Sequence, residues 1–160
     1  MGQHVFGYVT MLERNLLEAR DFQNNREYAR EAMIQFRRPQ TVTVGILGLG
    51  DIGQGVGKML KGAGYNVLGF KRRASSRLDT GLSACADYVT SDLETVLSQS
   101  DIIENVLPST SATRYLLNKN NLKCCSEPTS LYQHRTWRRR RCREDDYRRF
   151  GQWHVVTCCI

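Results

Sequence analysis

No stretch of the 160-residue chain approaches the ~18–20 uninterrupted apolar residues of a membrane-spanning helix. The N-terminus, MGQHVFGYVTMLER, has no basic segment ahead of a long apolar one, so no secretory leader is expected and a cytoplasmic location follows by default. Lipid attachment lacks its residues too. Phe6 stands where N-myristoylation after Gly2 wants Ser or Thr, and Thr157 stands where a prenylation box wants Cys. The six cysteines include no C-x-x-C pair, and neither His134 nor His154 has ligand spacing to them, so free thiols are expected and a metal site is not.

What is present is an ordinary globular composition, with 41% hydrophobic and 24% charged residues in a chain long enough for one domain. The charge is uneven. Between residues 126 and 160, eight Arg (135, 138–141, 143, 148 and 149) face Glu127, Glu144, Asp145 and Asp146, which puts +4 of the formal +7 in that segment. Five of the six cysteines (124, 125, 142, 158 and 159) lie at or beyond position 124. The body of the chain is unremarkable in composition and the tail is foreign to it.

The body is organised around residues 42–53. Val42, Val44, Ile46 and Leu47 form a β-branched apolar run that reads as a strand buried on both faces. It ends in Gly48, Gly50 and Gly53, spaced G-x-G-x-x-G. Gly48 permits a tight turn, Gly50 removes the side chain where phosphates must approach, and Gly53 lets the next helix pack closely. That helix, about 52–63, directs Ile52, Val56, Met59 and Leu60 inward and stops at Gly62 and Gly64. Val67, Leu68 and Phe70 then open a second strand. Strand, glycine turn, helix and strand together make a βαβ unit suited to a dinucleotide pyrophosphate, the alternative being a structural turn in an unrelated α/β fold.

Lys71, Arg72 and Arg73 occupy the place after the second strand where an NAD site usually offers a carboxylate to the ribose hydroxyls. Guanidinium groups there suit a 2′-phosphate, so NADP(H) is expected in preference to NAD(H), a solvated basic loop being the alternative. Upstream, the apolar stripe at 5, 9, 12 and 16 predicts an amphipathic helix over 2–19, followed by a loop and a short helix to about 37. Downstream, 75–85 reads as loop or short helix, and strands are expected at 86–89 and 102–107. A helix between them is capped by Ser91, with Glu94 three residues on. Glu104 is out of place in a buried strand and is expected at an exposed edge, or as a sign of relaxed selection.

Three blocks, TVGILGLGDIG at 43–53, GYNVLGFKRR at 64–73 and NVLPSTSATRYLLN at 105–118, resemble the D-isomer-specific 2-hydroxyacid dehydrogenases of glyoxylate and hydroxypyruvate reductase type. The helix at 2–19 with LEARDFQ after it looks like the family's long helix leading out of its substrate domain, so the likeness covers about 2–123. It implies a partial Rossmann-like, doubly wound α/β domain with about four parallel strands. The implied divisions are 1–40 as helical lead-in, 41–123 as dinucleotide-binding domain and 124–160 as irregular tail. Gly48, Gly50, Asp51, Ile52 and Gly53 would form the pyrophosphate turn, Arg72 and Arg73 would lie beside the adenosine ribose, and Leu107, Pro108 and Thr113 would border the cofactor.

Two departures from the family govern the expected activity. The family's substrate-domain segment ahead of the first helix is not found, and no I-N-x-x-R-G pattern carrying its catalytic Arg follows Leu122. LYQHRTW and GQWHVVT do not match the segment that carries its catalytic His, so no catalytic residue is assigned. A chain that binds cofactor with little turnover is expected, the alternative being a non-catalytic interaction protein that uses the sheet edge left beside the fourth strand or the Arg-rich tail. The exposed apolar surface implies association with a second copy or a full-length family member. The abrupt change at Cys124 looks like an altered reading frame or splice product. Trp137, Arg138–Arg141, Tyr147 and Trp153 offer phosphate and stacking contacts, a less favoured nucleic-acid reading.

Overall fold

The faces of strand β1 (Thr43–Leu47) dictate the architecture. Val44 and Ile46 join a core cluster with Val56 and Leu60, while Leu47 joins another with Val96 and Leu97. This is the two-residue alternation of a strand covered by helices on both sides. The computed structural model describes residues 1–73, 82–118 and 121–125, and the backbone of 130–135 and 155–159.

The chain begins with α1 (Gly2–Glu13) and α2 (Leu16–Asn24), followed by the single turn α3 (Arg30–Met33). The helix expected over 2–19 is therefore broken. Asn15 takes a left-handed conformation, φ 49°, that ends α1 and redirects the chain. Helix α1 buries Val5 and Val9 in the same cluster as Val56 and Leu60 of α4 (Asp51–Gly62). Each such burial contributes about 1.5–3 kcal/mol. Helix α2 buries none of its residues.

A 3-10 turn, Pro39–Thr41, leads into β1; β2 (Asn66–Phe70), β3 (Tyr88–Thr90), α5 (Leu93–Gln99) and β4 (Ile102–Asn105) follow. Asp92, rather than Ser91, caps α5, its carboxylate accepting from the N–H groups of Glu94 and Thr95. The sheet is wholly parallel and runs β3-β2-β1-β4-β5-β6, adding β5 (Ser130–Arg135) and β6 (Val155–Cys159) beyond β4. The order 3-2-1-4-5-6 is that of the Rossmann fold, and its reversal lies between β1 and β4.

The expected four-strand parallel unit is thus present, and the sheet continues into the tail that reads as irregular. The sheet edge expected beside β4 is occupied by β5, whose Ser130 to Gln133 pair with Ile102 to Asn105. Glu104 is correspondingly not at an edge. It is fully buried, with Ile46 of β1 and Tyr132 of β5 as its register partners. Most of the 75–85 segment, together with Trp137, Arg138–Arg141, Cys142, Tyr147 and Trp153, lies outside the described residues.

Candidate dinucleotide site

Three strands deliver their C-terminal ends to one place. The turn after β1 is tied to β2 by the Gly48 N–H, which donates to the Phe70 carbonyl at 3.0 Å. It is tied to β4 by the Val106 N–H, which donates to the Leu47 carbonyl at 3.1 Å. The site therefore sits at the switch point, where an open α/β sheet parts its connections to either side.

The three glycines serve different physical needs. Gly48 has φ +105°, and a Cβ built on it would lie 2.9 Å from Cδ2 of Leu107. At Gly53 an added Cβ would lie 1.9 Å from the Gly48 carbonyl oxygen, so helix and turn meet there backbone to backbone. An added Cβ at Gly50 would meet nothing within 4 Å. That open space lies at the N-cap of α4, where no side chain caps the helix. The N–H groups of Asp51, Ile52 and Gly53 precede the first intrahelical bond, Gln54 N–H to Gly50 carbonyl at 2.9 Å. Asp51 and Ile52 are both exposed, so Ile52, 47% accessible at the start of the helix, does not turn inward with Val56 and Leu60 as its place in the apolar stripe predicts. Uncapped N–H groups beside an open glycine suit an anion such as a pyrophosphate.

Lys71 directly follows Phe70, and its N–H is anchored on the Thr90 carbonyl of β3 at 2.9 Å. Arg72 and Arg73 are exposed, and neither forms an ion pair among the described residues. Across the turn, half-buried Leu107 packs beside Gly48, its N–H accepted by Oδ1 of Asn105 at 3.2 Å. Pro108 is exposed. Thr113 is linked to the turn only through this segment: its hydroxyl donates to the Pro108 carbonyl at 2.5 Å and accepts from the Thr110 N–H at 2.9 Å. Sequence-expected residues from three separate blocks thus converge at one end of the sheet, with Thr113 holding the loop beyond it.

Two residues escaped the sequence reading. Leu49, between the first two glycines, is almost wholly buried, and Gly69 of β2 lies directly against it. A glycine inside a strand is the signal that would have found the contact, because it often marks a close approach. Gln54 adds a clamp, its Nε2 donating to the Leu49 carbonyl at 3.1 Å.

Cys85, Cys124 and Cys125 are unbridged. Burial, reinforced by the adjacent Cys124, pushes the Cys125 thiol up to about 11, which leaves it protonated at neutral pH. No helix among the described residues is long and apolar enough to cross a membrane.

Comparison with known proteins agrees with this geometry. The family model for the D-isomer specific 2-hydroxyacid dehydrogenase NAD binding domain matches residues 6–131. The chain is 29% identical over 122 residues to a D-lactate dehydrogenase of Treponema pallidum, covering 76% of this chain and 35% of that one. It is 35% identical over 89 residues to a glyoxylate reductase of Pyrococcus furiosus, covering 56% and 25% respectively. A crystal structure of a D-isomer specific 2-hydroxyacid dehydrogenase family protein from Aeromonas salmonicida superposes with a TM-score of 0.77 at 28% identity, over 99% of this chain and 50% of that one. The chain spans about a third or less of the length of these two curated relatives. By its matched residues, its parallel sheet and its glycine turn, the chain belongs to the D-isomer-specific 2-hydroxyacid dehydrogenase family and carries that family's NAD-binding domain.

Proposed function

We propose that this chain binds a nicotinamide dinucleotide, NADP(H) in preference to NAD(H), and that on its own it does not turn over a 2-oxo acid. The observation that carries the reading is the placement of Lys71, Arg72 and Arg73 immediately after Phe70, whose carbonyl accepts from the N–H of Gly48. A pyrophosphate at the uncapped start of α4 leaves the adenosine ribose within reach of the end of β2. There a 2′-phosphate gains charge-assisted hydrogen bonds from guanidinium groups. Asp51, Ile52 and Gly53 donate to the pyrophosphate through backbone N–H groups, Gly50 leaves it room, and Leu107 and Pro108 form the opposite wall, with Thr113 holding their segment.

The bound cofactor would supply hydride chemistry to a 2-oxo acid of the glyoxylate or hydroxypyruvate type. Reduction also needs an acid to protonate the forming alkoxide and a cation to orient the carboxylate. Residues 123–160 do not carry the I-N-x-x-R-G pattern that supplies the family's cation, which supports binding without turnover by these residues. In this reading 41–123 is the dinucleotide-binding unit, with 1–40 packed against it as a lead-in and 124–160 as a tail that adds β5 and β6 to its sheet.

Fluorescence titration with NADPH and NADH tests the cofactor, and consumption of NADPH with glyoxylate or hydroxypyruvate tests turnover. Saturable binding, tighter for NADPH and without consumption, is expected. Equal affinity for both overturns the preference, and sustained consumption overturns the inactivity.

A second reading, association through an apolar surface, draws on the exposed side chains of Leu16, Leu17, Ile34 and Phe36, all at least 44% accessible. Light scattering coupled to size exclusion distinguishes a monomer from a self-associating chain.

A further inference from the structure

Leu49 has no place in a glycine fingerprint, yet it is only 3% exposed and belongs to the core cluster of Ile46, Val56 and Val67. Its isobutyl group rests on Gly69, one residue from the end of β2. A Cβ built on Gly69 would lie 2.3 Å from Cδ1 of Leu49, 3.0 Å from Cγ and 3.4 Å from Cδ2. The register partners of Gly69 are Ile46 of β1 and Val89 of β3, and both belong to or pack against that same cluster. Cross-strand partners present their side chains on a common face, so Gly69 is the floor of a slot walled by Ile46 and Val89. Leu49 fills it.

Two hydrogen bonds hold the backbone on either side of this plug. The Gly48 N–H is fixed on Phe70, the residue after Gly69, and the Leu49 carbonyl is held by Gln54 from the first turn of α4. The donors at 51–53 lie between the plug and that clamp. Their height above the sheet is set by how far Leu49 descends toward β2.

We infer that Leu49 is a positioning residue for dinucleotide binding, with Gly69 as its seat, so that the Leu49–Gly69 contact fixes the pyrophosphate-binding N–H groups at bonding distance. The inference rests on the proposed dinucleotide binding. A methyl group on Gly69 forces Leu49 upward or out of its rotamer in a close-packed core, and the turn moves with it. Hydrogen bonds to the pyrophosphate then lengthen beyond the range in which they are effective.

The experiment measures Kd for NADPH and for NADH, well below each melting temperature, for the full chain and for G69A, L49V, L49A and G69A/L49V. G69A is expected to weaken both cofactors by about tenfold, the loss of one charge-assisted hydrogen bond. The ratio of the two affinities stays unchanged, because the pyrophosphate is common to both. G69A/L49V, which removes a methylene where it adds a methyl, should recover most of the loss. L49A, which removes the plug with no new clash, should weaken binding even if G69A does not fold. A merely structural contact would lower the melting temperature of G69A or L49A while Kd of the folded protein stayed at the unsubstituted value, and that result overturns the inference. Failure of the double substitution to recover affinity overturns it as well. If the unsubstituted chain binds neither cofactor, the dinucleotide reading falls and the positioning role falls with it.

Discussion

Arg37 holds the Glu13 carboxylate in a two-pronged grip, Nε to Oε2 at 3.0 Å and Nη2 to Oε1 at 2.6 Å. Its remaining nitrogen, Nη1, reaches Oδ1 of Asp101, whose other oxygen accepts from the Thr43 N–H at 2.8 Å. One side chain thereby joins the end of α1, the approach to β1 and the start of β4, at the end of the sheet opposite the glycine turn. Hydrogen bonding to Glu13, with the charges of Glu13 and Asp101 behind it, outweighs the lowering effect of burial and leaves the guanidinium pKa above its ordinary value.

Arg37→Ala is expected to destabilise the chain by about 1–2 kcal/mol, because Glu13 is then left largely buried without this partner while Arg37 itself is partly solvated. Adding Glu13→Gln should return part of the loss. Urea unfolding of the two single variants and the double variant gives the coupling. A coupling near zero would show that the pair has no role in stability.

The basic residues after β2 should separate the two cofactors. Arg72→Ala with Arg73→Ala is expected to weaken NADPH about tenfold or more, the scale of a lost hydrogen bond to a charged group, and NADH far less. Because both guanidinium groups are exposed, the NADPH advantage should also shrink as salt rises. Titrations in low and high salt check both effects.

Gly53 and Gly50 should fail in opposite ways. Gly53→Ala drives a Cβ to 1.9 Å from the Gly48 carbonyl oxygen, so a stability loss of at least the usual ~1–3 kcal/mol of overpacking is expected, with binding lost too. Gly50→Ala meets open space and should cost about 1 kcal/mol or less in stability, while its methyl obstructs the phosphates. Thermal melts beside cofactor titrations check the contrast. Equal melting temperatures for the two variants would contradict it.

Asp87 makes the fold sensitive to acid. Burial raises its pKa, but the Lys61 ammonium at 2.8 Å and the Val67 N–H at 2.8 Å outweigh that effect and hold the carboxyl below its ordinary value. A lowered folded-state pKa gives a contribution that is full above the unfolded value, about pH 4, and is lost as pH falls through the folded one. Asp87→Asn should therefore be less stable than the parent at neutral pH, with the two stabilities converging in strong acid. The carboxylate is half-exposed, so the difference is modest. Urea midpoints between pH 2 and 7 measure it, and parallel curves for parent and variant would refute the assignment.

The βαβ unit was legible because its determinants are local. Val44 and Ile46 announce a strand, three glycines at fixed spacing announce the turn, and Val56 and Leu60 stand on one helical face. The break at Asn15 was not, since the apolar stripe continues across it and only the chain's left-handed turn interrupts it. Strands β5 and β6 escaped because SLYQHR and VVTCC are short runs set in Arg- and Cys-rich text, with no helix or turn signal beside them to mark a continuing βαβ pattern. Their pairing is seen only in backbone register with β4.

The amino-acid sequence by itself determined the glycine turn at 48–53, the basic residues after Phe70 and the family likeness, all of which depend on residue type and short spacing. The tertiary structure alone decided that Glu104 is interior and that Leu49 sits on Gly69. The physical reason is register. Which side chain lies over which backbone atom depends on how strands twenty or more residues apart align, and a single-residue slip would turn each of them to the other face.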